Sequence, residues 1–241
     1  MSNQPTSSQR LHERLRDLIA ATKPGERLLS EPYLARDLGV SRATLREAMR
    51  TFEIQGLIRR RQGAGTYVMH PSHVIETGLE VLESIETLAE RIGLKVTTGE
   101  VVVSQRAPTS QEALALRLQG DDSGQVLFIG RVILAEGRPV AYLIDIVPEQ
   151  FLGVKDLNGQ FSGSVLDLLL KRGSLELISS RCDINAVTAT SEVARALQIQ
   201  RGDVLLRFEA LLYAATGQVV DYSFSYFLPG VFRFHVVRKV G

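Results

Sequence analysis

The chain has 241 residues, 23% charged and 44% hydrophobic, which leaves room for one large or two ordinary domains with real cores and excludes a disordered chain. No apolar run approaches the roughly 18 residues a membrane span needs, and the first nine residues lack the charged and apolar regions of a signal peptide. The net charge of +1 hides an asymmetry: 12 Lys/Arg face 7 Asp/Glu through residue 70, and 16 face 20 thereafter, so a basic front end suited to a polyanion precedes an acidic remainder.

The first predicted element is a helix over 8–22, with Leu11, Leu15, Leu18 and Ile19 as its core stripe. Lys23-Pro24-Gly25-Glu26 reads as a turn. A short helix over 32–38 follows, then a tight turn at Gly39-Val40, then a longer helix that Ser41 is placed to cap. On that longer helix Leu45, Ala48, Met49 and Phe52 fall on one stripe, while Arg42, Arg46 and Arg50 form a separate line. Such an arginine line on an isolated helix reads as a solvated face; here the neighbours change the reading. Two short strands, 57–61 and 66–69, flank Gln62-Gly63-Ala64-Gly65 and make a basic ribbon with a glycine tip. A recognition helix followed by a wing is the expectation.

The linker is expected at His70-Pro71-Ser72-His73, whose two histidines have no carboxylate cluster to complete a metal site. Apolar residues at three- and four-residue spacing over 74–92 predict a helix, broken near Gly78 and ending at Gly93. Strands are expected at 96–105, 126–135, 140–147, 175–187, 204–214, 219–228 and 232–240, with helices at 110–118, 164–171 and 191–199. Cys182, the one cysteine, allows no intrachain disulfide and reads as a reduced core thiol on a strand, so the cytoplasm is the expected compartment. Neither a cofactor nor a metal is expected.

This strand-rich region repeats itself. Thr109-Ser110-Gln111-Glu112 opens a helix, followed by a strand, the Glu136-Gly137 turn and Pro139-Val140-Ala141-Tyr142; about eighty residues later Thr190-Ser191-Glu192, a strand, Thr216-Gly217 and Val219-Val220-Asp221-Tyr222 follow the same order. Two such halves predict a pseudo-symmetric, mostly antiparallel α+β domain with a pocket at its seam. The domain expectation is a winged helix-turn-helix at 1–70, a linker at 71–80, and the pseudo-symmetric α+β domain at 81–241.

The run Leu28-Leu29-Ser30-Glu31, Leu34-Ala35, Val40-Ser41-Arg42, Thr44-Leu45-Arg46-Glu47-Ala48, Glu53, Gly56-Leu57-Ile58 and Gln62-Gly63-Ala64-Gly65-Thr66-Tyr67-Val68 resembles the GntR family of bacterial transcription regulators. The family usually has proline at Leu29 and a DNA-contacting arginine at Pro32, so one expected contact is missing. The resemblance implies DNA contacts from Ser30, Glu31, Ser41, Arg42, Ala43, Thr44, Arg46, Arg50, Arg60, Gln62, Gly63, Ala64, Gly65 and Thr66. Arg131, Ala135-Glu136-Gly137-Arg138-Pro139-Val140, Gly163-Ser164-Val165-Leu166-Asp167-Leu168-Leu169, Ala194 with Leu197, Gly202-Asp203-Val204-Leu205, Gly217 and Asp221-Tyr222-Ser223 resemble the UTRA effector-binding domain of the HutC subfamily. That fold is related to chorismate lyase.

Members that sense sugar phosphates carry two arginines on one strand, where Arg131 and Ile133 stand here, and a basic-acidic turn where Leu228-Pro229-Gly230 stands. Both departures argue against assuming a sugar-phosphate effector. The effector residues implied are Arg131, Ile133, Gly163, Ser164, Asp221, Tyr222 and Tyr226. Gly163-Ser164 opens a helix whose free N–H groups suit an anion, with Arg131 as countercharge. Two readings stand for several of these: Arg131 as ligand contact or as salt bridge to Glu209 or Asp221, Ser164 as donor or plain N-cap, and the tyrosines as pocket lining or core. The leading expectation is a homodimeric DNA-binding regulator, a repressor, on a two-fold symmetric double-stranded operator, controlled by a small anionic effector and without membrane contact. The alternative is a lyase-like enzyme acting on a small carboxylate, against which no nucleophile–base pair stands out and all four histidines lie outside the repeat.

Overall fold

The computed structural model describes residues 7–54, 57–61, 64–69, 75–91, 94–118, 124–157, 161 and 163–236. The chain divides into two compact units, Met1–Val74 with Pro229–Val231, and Ile75–Leu228 with Phe232–Gly241.

The first unit holds α1 (Ser7–Ala21), α2 (Glu31–Asp37), α3 (Arg42–Ile54), β1 (Ile58–Arg61) and β2 (Gly65–Val68). Leu11, Leu15 and Ile19, one turn apart, bury a single face of α1. Pro32 sits in the first turn of α2, where a missing N–H breaks no helical bond. Gly39, at φ +69°, reverses the chain after α2, and the Val40 N–H donates to the Ala35 carbonyl at 2.9 Å. The Thr44 N–H then donates to Ser41 Oγ at 3.0 Å, which caps α3 and confirms the helix start read from the sequence. Leu45, Ala48, Met49 and Phe52 are buried against Leu34, Leu38, Ile58 and Val68. Each large side chain so buried stabilises the unit by about 1.5–3 kcal/mol. β1 and β2 pair antiparallel as a hairpin, with Arg59 opposite Tyr67 and Arg61 opposite Gly65. Gly65 has φ +108°, and a Cβ there would collide with the Arg27 side chain.

The second unit is built on one six-stranded antiparallel sheet. Its strands are β4 (Val96–Arg106), β5 (Val126–Ala135), β6 (Arg138–Pro148), β7 (Leu177–Thr188), β8 (Val204–Ala214) and β9 (Val219–Phe227), in the order β4-β5-β6-β9-β8-β7. That order is the repeat made visible: two three-stranded meanders meet at β6 and β9. Each half carries a short helix before its second strand, α5 (Ser110–Ala115) and α7 (Ser191–Leu197), capped by Thr109 and Thr190 respectively. At the first of these caps Glu112 closes a capping box, and it also holds Arg106 at 2.7 Å through both oxygens. The helix α6 (Val165–Arg172) packs Val165 and Leu169 on the other face with Leu127, Ile129 and Val147, while α5 covers Val126, Ile146 and Tyr222. The mostly antiparallel α+β fold is thus as expected.

Two sequence expectations fail here. The helix predicted over 74–92 is a strand, β3 (Ile75–Gly78), and only a short helix, α4 (Ile85–Arg91), which Ser84 starts by accepting from the Thr87 N–H at 3.1 Å. The strand β10 (Phe232–His235) pairs β3 in parallel, Phe232 opposite Ile75 and His235 opposite Gly78. A partner more than 150 residues away overrides the local helical spacing, and Leu79 and Leu82, which the helix would have buried, are exposed. Cys182 is exposed rather than core, because β7 is an edge strand that no other strand covers among the described residues. The residues 237–241 and the linker histidines at 70 and 73 lie outside the described residues.

Candidate functional site

α3 presents one polar surface. Ser41, Arg42, Ala43, Thr44 and Arg46 are all exposed, opposite the buried Leu45 and Met49. Ser30 caps α2 by position without a side-chain bond to its backbone, so its hydroxyl is not used there. Arg46 Nε lies 2.6 Å from Glu31 Oε2, and Arg50 Nη1 lies 3.7 Å from Glu47 Oε1 with most of its side chain buried. On the hairpin, Arg59 and Arg61 are exposed, the latter 5.3 Å from the Tyr67 ring centroid. Arg60 differs: its N–H and Nε donate to the two oxygens of Glu53 at 3.0 and 2.7 Å. Thr66 is buried, so its side chain is part of the packing and not of the surface expected from the sequence. Ala64 and Gly65 are half-exposed near the tip; Gln62 and Gly63 lie outside the described residues.

The second cluster lies on the α6 face of the sheet. Cross-strand register puts Arg131 opposite Leu143, Ile133 opposite Ala141, Asp145 opposite Ser223 and Asp221 opposite Leu212, so all of these share one face. Arg131 is only 4% exposed. Its Nη1 donates to the Gly163 carbonyl and lies 3.5 Å from Glu86 Oε1, its Nη2 lies 3.5 Å from Asp145 Oδ2, and its guanidinium carbon is 5.9 Å from the Phe161 ring centroid. Glu86 and Asp145 therefore replace the Glu209 or Asp221 expected as ion-pair partners. Ser164 Oγ accepts from the Asp167 N–H at 3.2 Å and is buried, so the N-cap reading of Ser164 holds. Asp221 Oδ1 accepts from the Ile146 N–H at 3.2 Å. Burial, and then the charge of Asp145, raise the Asp221 carboxyl well above its ordinary pKa. Burial likewise raises Asp145, against the opposing pull of Arg131.

Tyr222 and Tyr226 are not in this cluster. They pair with Ile146 and Tyr142 in register and face the opposite side of the sheet, as does Phe224. Tyr222 Oη donates to Glu209 Oε1 at 2.6 Å and accepts from Gln111 Nε2 at 3.1 Å; burial, then Glu209, push its pKa up to about 12. Tyr226 stacks on Tyr142 at 6.4 Å, and Tyr142 Oη donates to Glu192 at 3.1 Å. Glu209 pairs with Arg207 at 2.9 Å on that same far side. A separate open cleft at the start of α7, lined by Thr188, Thr190, Ser191, Glu192 and Arg201, contains none of the effector residues expected from the sequence.

Residues 7–68 match the family described as bacterial regulatory proteins, gntR family, and residues 87–233 match the UTRA domain. The chain belongs to the GntR family. It is a transcription regulator whose N-terminal part binds DNA and whose UTRA domain binds the small-molecule effector that controls operator affinity. Similar proteins include the HTH-type transcriptional repressor NagR of Bacillus subtilis (strain 168), 28% identical over 84% of this chain and 82% of that one. The mannosyl-D-glycerate transport/metabolism system repressor MngR of Escherichia coli (strain K12) is 27% identical over 99% of this chain and 98% of that one. Among solved structures, PhnF of Mycobacterium smegmatis has the same fold, with a TM-score of 0.64 at 21% identity, covering 96% of this chain and all of PhnF. These relatives are regulators, and nothing in them supports the lyase alternative.

Two residues of this GntR-family regulator escaped sequence reasoning. Asp145 had a signal: it is the one charge in Leu143-Ile144-Asp145-Ile146-Val147, on the parity that faces Arg131. Glu86 had none, since only the tertiary position of α4 brings it to Arg131. Among the described residues, no helix is long and apolar enough to cross a membrane, and no group of three His, Cys, Asp or Glu side chains is placed to hold a metal.

Proposed function

We propose that this GntR-family regulator is a cytoplasmic homodimeric repressor that binds a two-fold symmetric operator and is controlled by a small anionic molecule seated beside Arg131. The DNA-binding part is 1–70, the connection 71–80 and the effector part 81–241. The observation that carries the DNA reading is α3: capped by Ser41 and buried along Leu45, Met49 and Phe52, it leaves Arg42, Ala43, Thr44 and Arg46 free of the core. Arg46 and Arg42 read base edges in the major groove, Ser30, Glu31 and Arg50 support contacts at the backbone, and Arg59 and Arg61 flank a wing tip at Gln62–Gly65 that approaches the minor groove.

Dimerisation is supported by the long outer strand β7, where Ile178 is 60% exposed and Ile184 43% exposed at a sheet edge that no strand among the described residues pairs. Two copies joined by such an edge impose two-fold symmetry on the operator. Repression is supported by the names of the relatives. The effector reading rests on Arg131, Ile133, Gly163, Ser164 and Asp221, which gather on one face of the sheet or at its neighbouring helix start. The effector acts by binding one arrangement of the regulator more tightly than another.

Selection of bound sequences from a random duplex library tests the DNA half. An inverted repeat bound by the wild type and not by Arg46→Ala is the expected result. A selected site without internal symmetry, or no selection at all, overturns it. Sedimentation of Ile184→Lys tests the dimer; unchanged dimer mass would place the interface elsewhere.

A further inference from the structure

Four buried side-chain atoms have no hydrogen-bond partner among the described residues, and three of them cluster at Arg131. They are of opposite kinds. Arg131 Nε is a donor without an acceptor; Asp145 Oδ2 and Glu86 Oε2 are acceptors without a donor. Asp145 Oδ2 lies 3.5 Å from Arg131 Nη2, close enough for charge attraction but too far for a good hydrogen bond. Arg131 and Asp145 are 4% and 8% exposed, so bulk water does not complete them. The geometry points the same way, since two carboxyl groups, Glu86 and Asp145, each lie 3.5 Å from the one guanidinium.

An effector that is only an anion would satisfy the guanidinium and aggravate the carboxylates. We propose that the effector is a zwitterion, whose protonated amine donates to Asp145 Oδ2 and Glu86 Oε2 while its anionic group accepts from Arg131 Nε. Phe161, against the guanidinium, offers an apolar surface to the body between the two charges. The inference rests on the reading that the effector binds beside Arg131, and it adds the amine.

The test is isothermal titration of the full chain with two matched sets. One is phenylalanine, 3-phenylpropionate and 2-phenylethylamine; the other is glucosamine 6-phosphate, glucose 6-phosphate and glucosamine. In at least one set the compound carrying both groups is expected to bind about tenfold or more tightly than either analogue lacking the amine or the anionic group. Asp145→Asn is expected to erase that advantage while leaving the anion's own affinity unchanged or improved. Because Asp145 is buried, its variant is checked by thermal unfolding, and Glu86→Gln, on the more accessible α4, is the second variant with the same expected outcome.

The lack of an amine advantage in both sets, or an advantage that survives both variants, overturns the amine. Failure of all six compounds to bind also overturns it as stated. Binding that is weakened by Arg131→Gln but shows no amine preference leaves the site reading intact. Binding indifferent to Arg131→Gln removes the site itself.

Discussion

Arg46 and Glu31 form an ion pair, Nε to Oε2 at 2.6 Å, that joins the exposed face of α3 to the start of α2. The arginine proposed to read DNA is therefore held by a carboxylate, which orients its planar group. More than half of the Arg46 side chain is exposed, so the pair contributes little to folding.

Arg46→Ala is accordingly expected to cost about 1–3 kcal/mol of operator binding per half-site. The melting curve should barely move, because the side chain lies opposite the buried Leu45 stripe. Fluorescence anisotropy with labelled operator and a parallel thermal melt check both halves. An Arg46→Ala protein that binds normally would remove α3 from the recognition role.

The three wing arginines should behave differently from one another. Removing Arg59 and Arg61 together is expected to flatten the plot of log affinity against log salt by about 0.9 for each phosphate they would have neutralised. Arg60 is engaged by Glu53, so Arg60→Ala should instead loosen β1 from α3, with a stability loss under about 1 kcal/mol for a partly exposed pair. Equal salt slopes for wild type and the Arg59/Arg61 variant would mean that the wing stays off the DNA.

Glu112 should make the protein acid-sensitive. Hydrogen bonds from Arg106, more than offsetting the cost of burial, lower its pKa in the folded state. A depressed carboxylate contributes stability above its unfolded pKa of about 4.3, and that stability is lost as pH falls through the folded value. Glu112→Gln is expected to be less stable near neutral pH and nearly equal to wild type in acid. Denaturant titrations at both pH values give the comparison; a constant difference between the two proteins would contradict it.

Asp221 has the opposite sign. Burial raises its folded pKa, so the folded state favours the protonated form, and the associated stability fades as pH rises through the folded value. Asp221→Asn keeps an oxygen to accept the Ile146 N–H and removes the charge. It is expected to unfold at a higher temperature than wild type at neutral pH, with the gain shrinking toward acid. A variant less stable than wild type at neutral pH would show that Asp221 is ionised and well paired in the folded protein.

Much of this was legible in one dimension. Ser41, Gly39 and the Leu45–Phe52 stripe specify α3 through local rules, caps and helical period, that need no distant partner. The paired sequences at Thr109 and Thr190 specify two alike halves, and the sheet order reproduces them. Even one site error was avoidable: Asp221 and Tyr222 are neighbours in a strand, so they cannot share a face.

What the sequence determined by itself was most of the elements, because spacing, capping and turn chemistry act over a few residues; the effector-binding role of the second part came from its resemblance to the UTRA domain. Tertiary structure alone decided three things. It turned Ile75–Gly78 into a strand by supplying Phe232–His235 as its partner. It put Tyr226 behind the sheet from Arg131, since relative facing across strands depends on register. It also brought Glu86 and Asp145 to the guanidinium, which matters because a buried charge takes its properties from whichever groups surround it in space, not from its neighbours in the chain.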